Sequence, residues 1–257
     1  MQRDRAVRPT AARTAALVRH NVMLMLREPG PMASRLILPL AFLLLLHPLY
    51  EQAQPGSRGI VQAVVATIVT FSLLAMSIAG GSFLTERIWH TWQRLRSSAA
   101  TPAELLIGKL TPVLAVLGLQ QVAVIAFAAA LLGLPVAGLP LLAVAVAAWT
   151  LALAGMGAAL GLLARSFSSL SASYDIGGMI LSSLGGALVP LTALPEWVRQ
   201  VAPISPGYWA VSALESALRG AAGRTFLASA VLLAFAAGAG LAAAIRASRT
   251  WGRSASL

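Results

Sequence analysis

Glu86 with His90, and Arg87 with Thr91 and Arg94, are separated by the three, four or seven positions that make side chains neighbours on a helix surface. No nucleophile stands beside a base in this set, so it has no bond-making chemistry of its own. Its chemistry is recognition: charge-assisted hydrogen bonds are directional, and a row of them can hold a partner surface in one orientation. Neither Gly nor Pro interrupts residues 85–98, which leaves room for about three and a half helical turns. Thr85 is placed to cap that helix, with Glu86 in the first turn where the helix dipole favours an anion. Thr101-Pro102-Ala103-Glu104 opens a second helix, with Thr101 as cap and Pro102 at its first position.

Other chemistries are poorly provided for. The eight acids are scattered along the chain, and His20, His47 and His90 lie on separate segments without H-E-x-x-H spacing. No metal site is therefore expected. There is no cysteine, hence no thiol chemistry or disulfide framework. Gly108-Lys109-Leu110 lacks the upstream glycine and the hydroxyl of a phosphate-binding loop, so ATP hydrolysis is not expected of this chain, nor any cofactor of its own. Asp175, after Ser173 and Tyr174, lies at the edge of an apolar run, where it could start a helix or meet a substrate.

The elements that position these residues are set by composition. Hydrophobic residues make up 58% of the 257 and charged residues only 11%, against about 25% charged in soluble domains. The exterior must be solvated by lipid. The net charge of +11 does not point to nucleic acid, because the basic residues fall at the ends of apolar runs. Six stretches approach the roughly 20 residues of a span: about 32–50, 60–84, 110–133, 139–163, 175–194 and 225–245. The first run starts near Leu36 after an Arg-rich stretch and ends in His47-Pro48-Leu49-Tyr50, unlike a cleaved leader, and is expected to remain as a span. With the N-terminus inside, the inner segments hold fifteen Lys and Arg and the outer segments four, so both termini are expected in the cytoplasm. Residues 10–28 read as an amphipathic helix in the headgroup region, with Ala15, Val18, Val22, Met25 and Leu26 on one face and Arg13, His20 and Arg27 opposite. Leu17 and Leu24 spoil the pattern. Gly178, Ser182, Gly186 and Pro190 form a ridge of small residues at four-residue spacing, open to packing, a dimer seam or a substrate path. Gly157 with Gly161, and Ala236 with Gly240 and Ala244, are expected to serve packing within the chain.

From the end of the 175–194 run through the outer segment 195–224 the chain is rich in proline and aromatics: Pro190, Pro195 and Trp197, then Pro206, Tyr208 and Trp209. Proline interrupts helices, and Trp and Tyr favour the membrane boundary, so a re-entrant or interfacial pair of short helices is expected, its backbone shielded by protein. This element, and the run from Glu86 through Arg87, Thr91, Arg94 and Leu95 to Thr101-Pro102-x-Glu104-Leu105-Leu106-x-Gly108-Lys109, resemble the outer element and first intracellular loop of ABC-2 type permeases, most closely those of daunorubicin-resistance type. Ile88, Trp89, His90, Ala99 and Ser205 depart from that pattern.

The resemblance covers nearly the whole chain. It implies an all-α integral membrane protein of six transmembrane helices, with an N-terminal interfacial helix, a cytoplasmic coupling helix within 85–109 and a re-entrant outer segment. It also implies the permease of an ATP-driven exporter in a bacterial inner membrane, moving an amphipathic drug-like compound or a lipid. Export of a polysaccharide or lipid-linked glycan is the alternative within transport, and a membrane-embedded lipid-modifying enzyme the alternative of another class. ATP and Mg would sit on a separate cytoplasmic ATPase present in two copies, and a second permease, identical or related, would complete the pair. Glu86, Arg87, Thr91, Arg94, Leu95 and Pro102 would couple to the ATPase. Spans two and five would line the path, with Ser72, Met76, Asp175, Met179 and Ser183 as candidate contacts.

Overall fold

The computed structural model describes residues 10–27, 29–88 and 101–252, and among them every regular element is helical. In chain order these are α1 (Thr10–Arg27), α2 (Pro29–Ala53), α3 (Ser57–Ala75), α4 (Ser77–Ile88), α5 (Pro102–Leu131), α6 (Leu139–Leu163), α7 (Phe167–Leu184), α8 (Glu196–Val201), α9 (Pro206–Leu218) and α10 (Ala222–Gly252). Short 3-10 turns at Leu191–Ala193 and Ala202–Ile204 flank α8. Among the described residues, five stretches of helix are long and apolar enough to cross a membrane: Met32–Ala53, Ser57–Thr85, Glu104–Leu131, Leu139–Leu163 and Ala222–Arg246.

The second of these, α3 with α4, is the centre of the helix bundle, and α3 is buried on nearly all sides. In lipid, close approach of small residues replaces the hydrophobic effect as the force between helices, and the glycines of α6 show it. A Cβ on Gly157 would stand 2.7 Å from Ala79 Cβ and 2.8 Å from the Met76 carbonyl, and Gly161 lies against the Gly80 backbone. On the other side of α6, Gly155 meets the Ala236 carbonyl of α10, along the most extensive helix pairing among the described residues. The packing expectation thus holds for Gly157, Gly161 and Ala236, whereas Gly240 faces open space. Trp149 of α6, fully buried, donates its indole N–H to Ser72 Oγ at 2.8 Å. An aromatic N–H at this depth needs such a partner.

Several boundaries differ from those read in the sequence. Span two breaks at Met76, whose amide donates to Ser72 and Leu73 carbonyls at 3.0 and 3.3 Å, while Gly80 N reaches the Met76 carbonyl only at 3.5 Å. Gly157 of α6 packs at this point, so closely that a Cβ on it would stand 2.8 Å from that carbonyl. The helix then runs through Thr85 to Ile88, so Thr85 is no cap; its hydroxyl donates to the Gly81 carbonyl at 2.8 Å. The third span starts at the predicted Thr101 cap and continues unbroken as α5. The stretch expected at 175–194 is helical over Phe167–Leu184 instead. Ser166 accepts from Ser169 N to start it, and after Gly185 the chain turns at Gly186, whose φ of 76° favours glycine. Consequently the ridge over Gly178, Ser182, Gly186 and Pro190 is cut off at Leu184.

Candidate functional site

The molecule has two chemically distinct ends. A basal end carries α1, the end of α4 and the start of α5. Thr101 caps α5 in a reciprocal box: Glu104 N donates to Thr101 Oγ1 at 3.2 Å and Thr101 N to Glu104 Oε2 at 2.8 Å. The other carboxylate oxygen takes Arg13 of α1, with Nη2 at 2.9 Å and Nε at 3.3 Å. Asn21 Nδ2 donates to the Gly108 carbonyl at 3.2 Å, and Leu17 packs on Gly108, where a Cβ would lie 2.7 Å from its own. Leu17, an apparent flaw in the amphipathic pattern, is therefore the docking residue of α1, and Arg13 faces a buried carboxylate rather than water. Lys109 donates to the Ser82 carbonyl at 3.0 Å, tying α5 to α4. Of the expected coupling residues, Glu86 and Arg87 lie on the last turn of α4 and Pro102 on the first of α5. Thr91, Arg94 and Leu95 lie outside the described residues.

The distal end holds residues 185–224. Pro190 precedes the first 3-10 turn, Pro195 precedes α8 and Pro206 opens α9. Ser205 Oγ accepts from Gly207 N at 3.1 Å and donates to the Leu181 carbonyl at 2.9 Å. Trp209 donates to the Pro203 carbonyl at 2.8 Å and meets Tyr208 edge-on with ring centroids 5.1 Å apart. Trp197 is largely exposed. Tyr208 OH accepts from Arg224 at 3.3 Å, and Arg224 also donates to Ser212 Oγ at 3.0 Å. Burial pushes the nearby Glu215 carboxyl up, while Arg219 and Arg224 pull it down.

Between the ends, α7 presents two unlike faces. Leu170, Tyr174, Gly178 and Ser182 are buried at four-residue spacing. Ser182 pairs with Thr70 of α3 at 2.6 Å, Gly178 contacts Leu73 and Leu74, and Tyr174 OH donates to the Gly157 carbonyl at 3.2 Å. This face serves packing within the chain. The other face, with Ser171, Asp175, Ile176, Met179, Ile180 and Ser183, is exposed. Asp175 lies well inside the helix, eight residues beyond its start, so it does not begin it; its carboxylate accepts from Ser171 Oγ at 3.0 Å. The candidate path residues thus separate: Asp175, Met179 and Ser183 share the open face, while Ser72 and Met76 are enclosed among α3, α4 and α6.

A model of the ABC-2 type transporter family matches residues 12–218, from α1 through the last turn of α9. The chain belongs to the ABC-2 type transporter family. As an ABC-2 protein it is a transport component rather than an enzyme, built as a multi-pass helical membrane protein. Among curated proteins it is similar to the inner membrane transport permease YhhJ of Escherichia coli (strain K12), and equally to that of Shigella flexneri, at 27% identity over 162 residues. That match covers 62% of this chain and 43% of the relative, so the chain matches less than half the length of either permease.

Within this ABC-2 chain, inspection of the sequence passes over Gln62 and Tyr50. Gln62, in α3, donates to the Gly186 and Ala187 carbonyls at 3.1 and 2.7 Å, and Tyr50 OH to the Leu188 carbonyl at 2.9 Å. A lone carboxamide in an apolar run is the signal the sequence offers, because a polar side chain in a span needs a partner.

Proposed function

We propose that this chain is the membrane-spanning permease of an ATP-driven exporter of an amphipathic drug-like compound or lipid, acting from a bacterial inner membrane. In this reading α7 is also a span, the fifth of six in chain order. The basal end and both termini face the cytoplasm, in keeping with the fifteen-to-four distribution of basic residues. A second permease, identical or related, packs beside it, and two copies of a cytoplasmic ATPase supplying ATP and Mg engage the segment 86–98.

One observation carries the reading: the exposed face of α7. Its 18 residues extend about 27 Å, enough to cross most of the hydrocarbon. Lipid does not solvate Ser171, Asp175 and Ser183 at that depth, and an intramembrane carboxylate belongs on a protein-lined or watery path. Met179 and the two isoleucines among these polar groups offer apolar area for an amphipathic ligand. ATP binding and hydrolysis would favour alternate arrangements of the permease pair, opening this face to one side and then the other.

The test is coupling in reconstituted membranes with the partner ATPase at matched expression. Glu86→Ala is expected to insert normally yet lower substrate-stimulated ATP hydrolysis about tenfold, the scale of one lost hydrogen bond to a charged group. Arg94→Ala is expected to reduce co-purification of the ATPase. Wild-type stimulation and recovery in both variants would reduce the loop to a cytoplasmic anchor, since basic residues there also satisfy topology.

A further inference from the structure

The turn at 185–190 is fastened on two sides in different ways. Toward α9 the contact is backbone on backbone: a Cβ on Gly185 would lie 2.6 Å from Gly207 C and 2.7 Å from Tyr208 N. That side cannot give without moving whole elements. Toward α2 and α3 the fastening is three hydrogen bonds, two from the Gln62 carboxamide and one from the Tyr50 hydroxyl, to three successive carbonyls. Backbone that leaves a helix at membrane depth must find donors in protein. Gln suits this place because a single nitrogen carries two hydrogens, one for each carbonyl. Gln62 is buried and Ala187 wholly so.

We propose that Gln62, backed by Tyr50, is the positioning residue that latches the distal turn against α3 and holds the outer end of the path closed until the transport cycle breaks those bonds. This rests on the exporter reading, in which the distal end faces outward. Two turns deeper, the Thr70–Ser182 bond joins α3 to α7 itself, so α3 is bonded both to α7 and to the turn that follows it.

The chain has no cysteine, so a single introduced thiol reports on one position. In intact cells carrying the permease with its ATPase, Ala187→Cys is expected to react slowly with an impermeant maleimide. Adding Gln62→Glu, which replaces both hydrogens by a lone-pair oxygen, is expected to speed that reaction about tenfold, the equivalent of about one net hydrogen bond. Tyr50→Phe, which removes a single hydroxyl, is expected to speed it less, and it carries the test if Gln62→Glu fails to insert. Thr192→Cys, exposed, should react at one rate in all backgrounds, and Ala152→Cys, buried in α6, should stay protected. A wild-type rate at position 187 in the inserted variants overturns the latch. So does faster labelling at 152 as well, which marks general loosening. If Thr192→Cys is closed to reagent outside cells, the outward orientation has failed, and the comparison at position 187 is then read in inside-out vesicles with the same outcomes.

Discussion

The basal end is held by charge and the distal end by neutral donors aimed at backbone. Basally, Arg13 reaches Glu104 across 91 positions of sequence, and α1, which has no buried residue, leans on α5 mainly through that pair, Asn21 and Leu17. Distally, Gln62, Tyr50, Ser205 and Trp209 each donate to a main-chain carbonyl. The contrast follows from the solvent at each end. A segment emerging into water can keep ionic side chains solvated until they pair, whereas irregular backbone between membrane helices must have every polar group answered by protein. In the proposed exporter, such a division would suit driving from the basal end and gating at the distal one.

The sharpest way to break this comparison is to add a side chain at a closely packed glycine of each end. Gly185→Val drives carbon atoms into the Gly207–Tyr208 backbone and is expected to lower stability by the upper part of the roughly 1–3 kcal/mol cost of overpacking, or more. Gly108→Val meets the Leu17 Cβ of α1, a helix with no buried residue, with an expected cost of about 1 kcal/mol, the lower part of that range. Thermal unfolding in detergent measures both. Equal losses would mean that α1 is as rigidly seated as α9.

Of intermediate size is the effect of the basal pair. Arg13→Ala strips the Glu104 carboxylate of its ionic partner and is expected to lower the melting midpoint by a few degrees and to weaken ATPase stimulation several-fold. The exchanged pair, Arg13→Glu with Glu104→Arg, is expected to recover part of the stimulation, because attraction across the α1–α5 contact is restored. It should not recover the capping box, since Arg at 104 has no acceptor for Thr101 N. A swap no better than the worse single variant would assign the basal role of Glu104 to capping alone.

These contacts explain which parts of the molecule are legible in the sequence. Local chemistry is legible: Thr101 with Pro102 and Glu104 announces a helix start, and the structure has the full box. Long apolar runs and the proline-aromatic segment likewise announce their class of element. What depends on a distant neighbour is not legible. The break at Met76 falls where Gly157 of another helix makes its close approach, a neighbour that the run 60–84 by itself does not reveal. Helix α7 starts at Ser166, among polar residues that an apolar window passes over, so the apolar run by itself puts Asp175 in the first turn. The two faces of α7 alternate at a four-residue spacing visible in the sequence, but which face the chain itself covers is decided by Thr70, Leu73 and Leu74 of α3.

The smallest expected effect sharpens the comparison from the other side. The distal end also carries ion pairs, so if charge as such held either end, those pairs should matter too. Arg199 Nη2 and Glu196 Oε2 lie 3.0 Å apart on α8, but their side chains are 46% and 75% exposed. In water their attraction is screened, and ordering two long side chains costs entropy that offsets it. Arg13 and Glu104, at the same kind of distance, are 21% and 3% exposed, and the carboxylate also closes a helix cap. Arg199→Ala is therefore expected to leave stability within about 0.5 kcal/mol of wild type and to leave the labelling rate of Ala187→Cys unchanged, since the latch reaches its carbonyls from α2 and α3. The same detergent melt and maleimide assay read both quantities. A loss at Arg199 as large as that at Arg13 would show that charge holds both ends alike, and that the neutral donors of the distal turn are incidental to it.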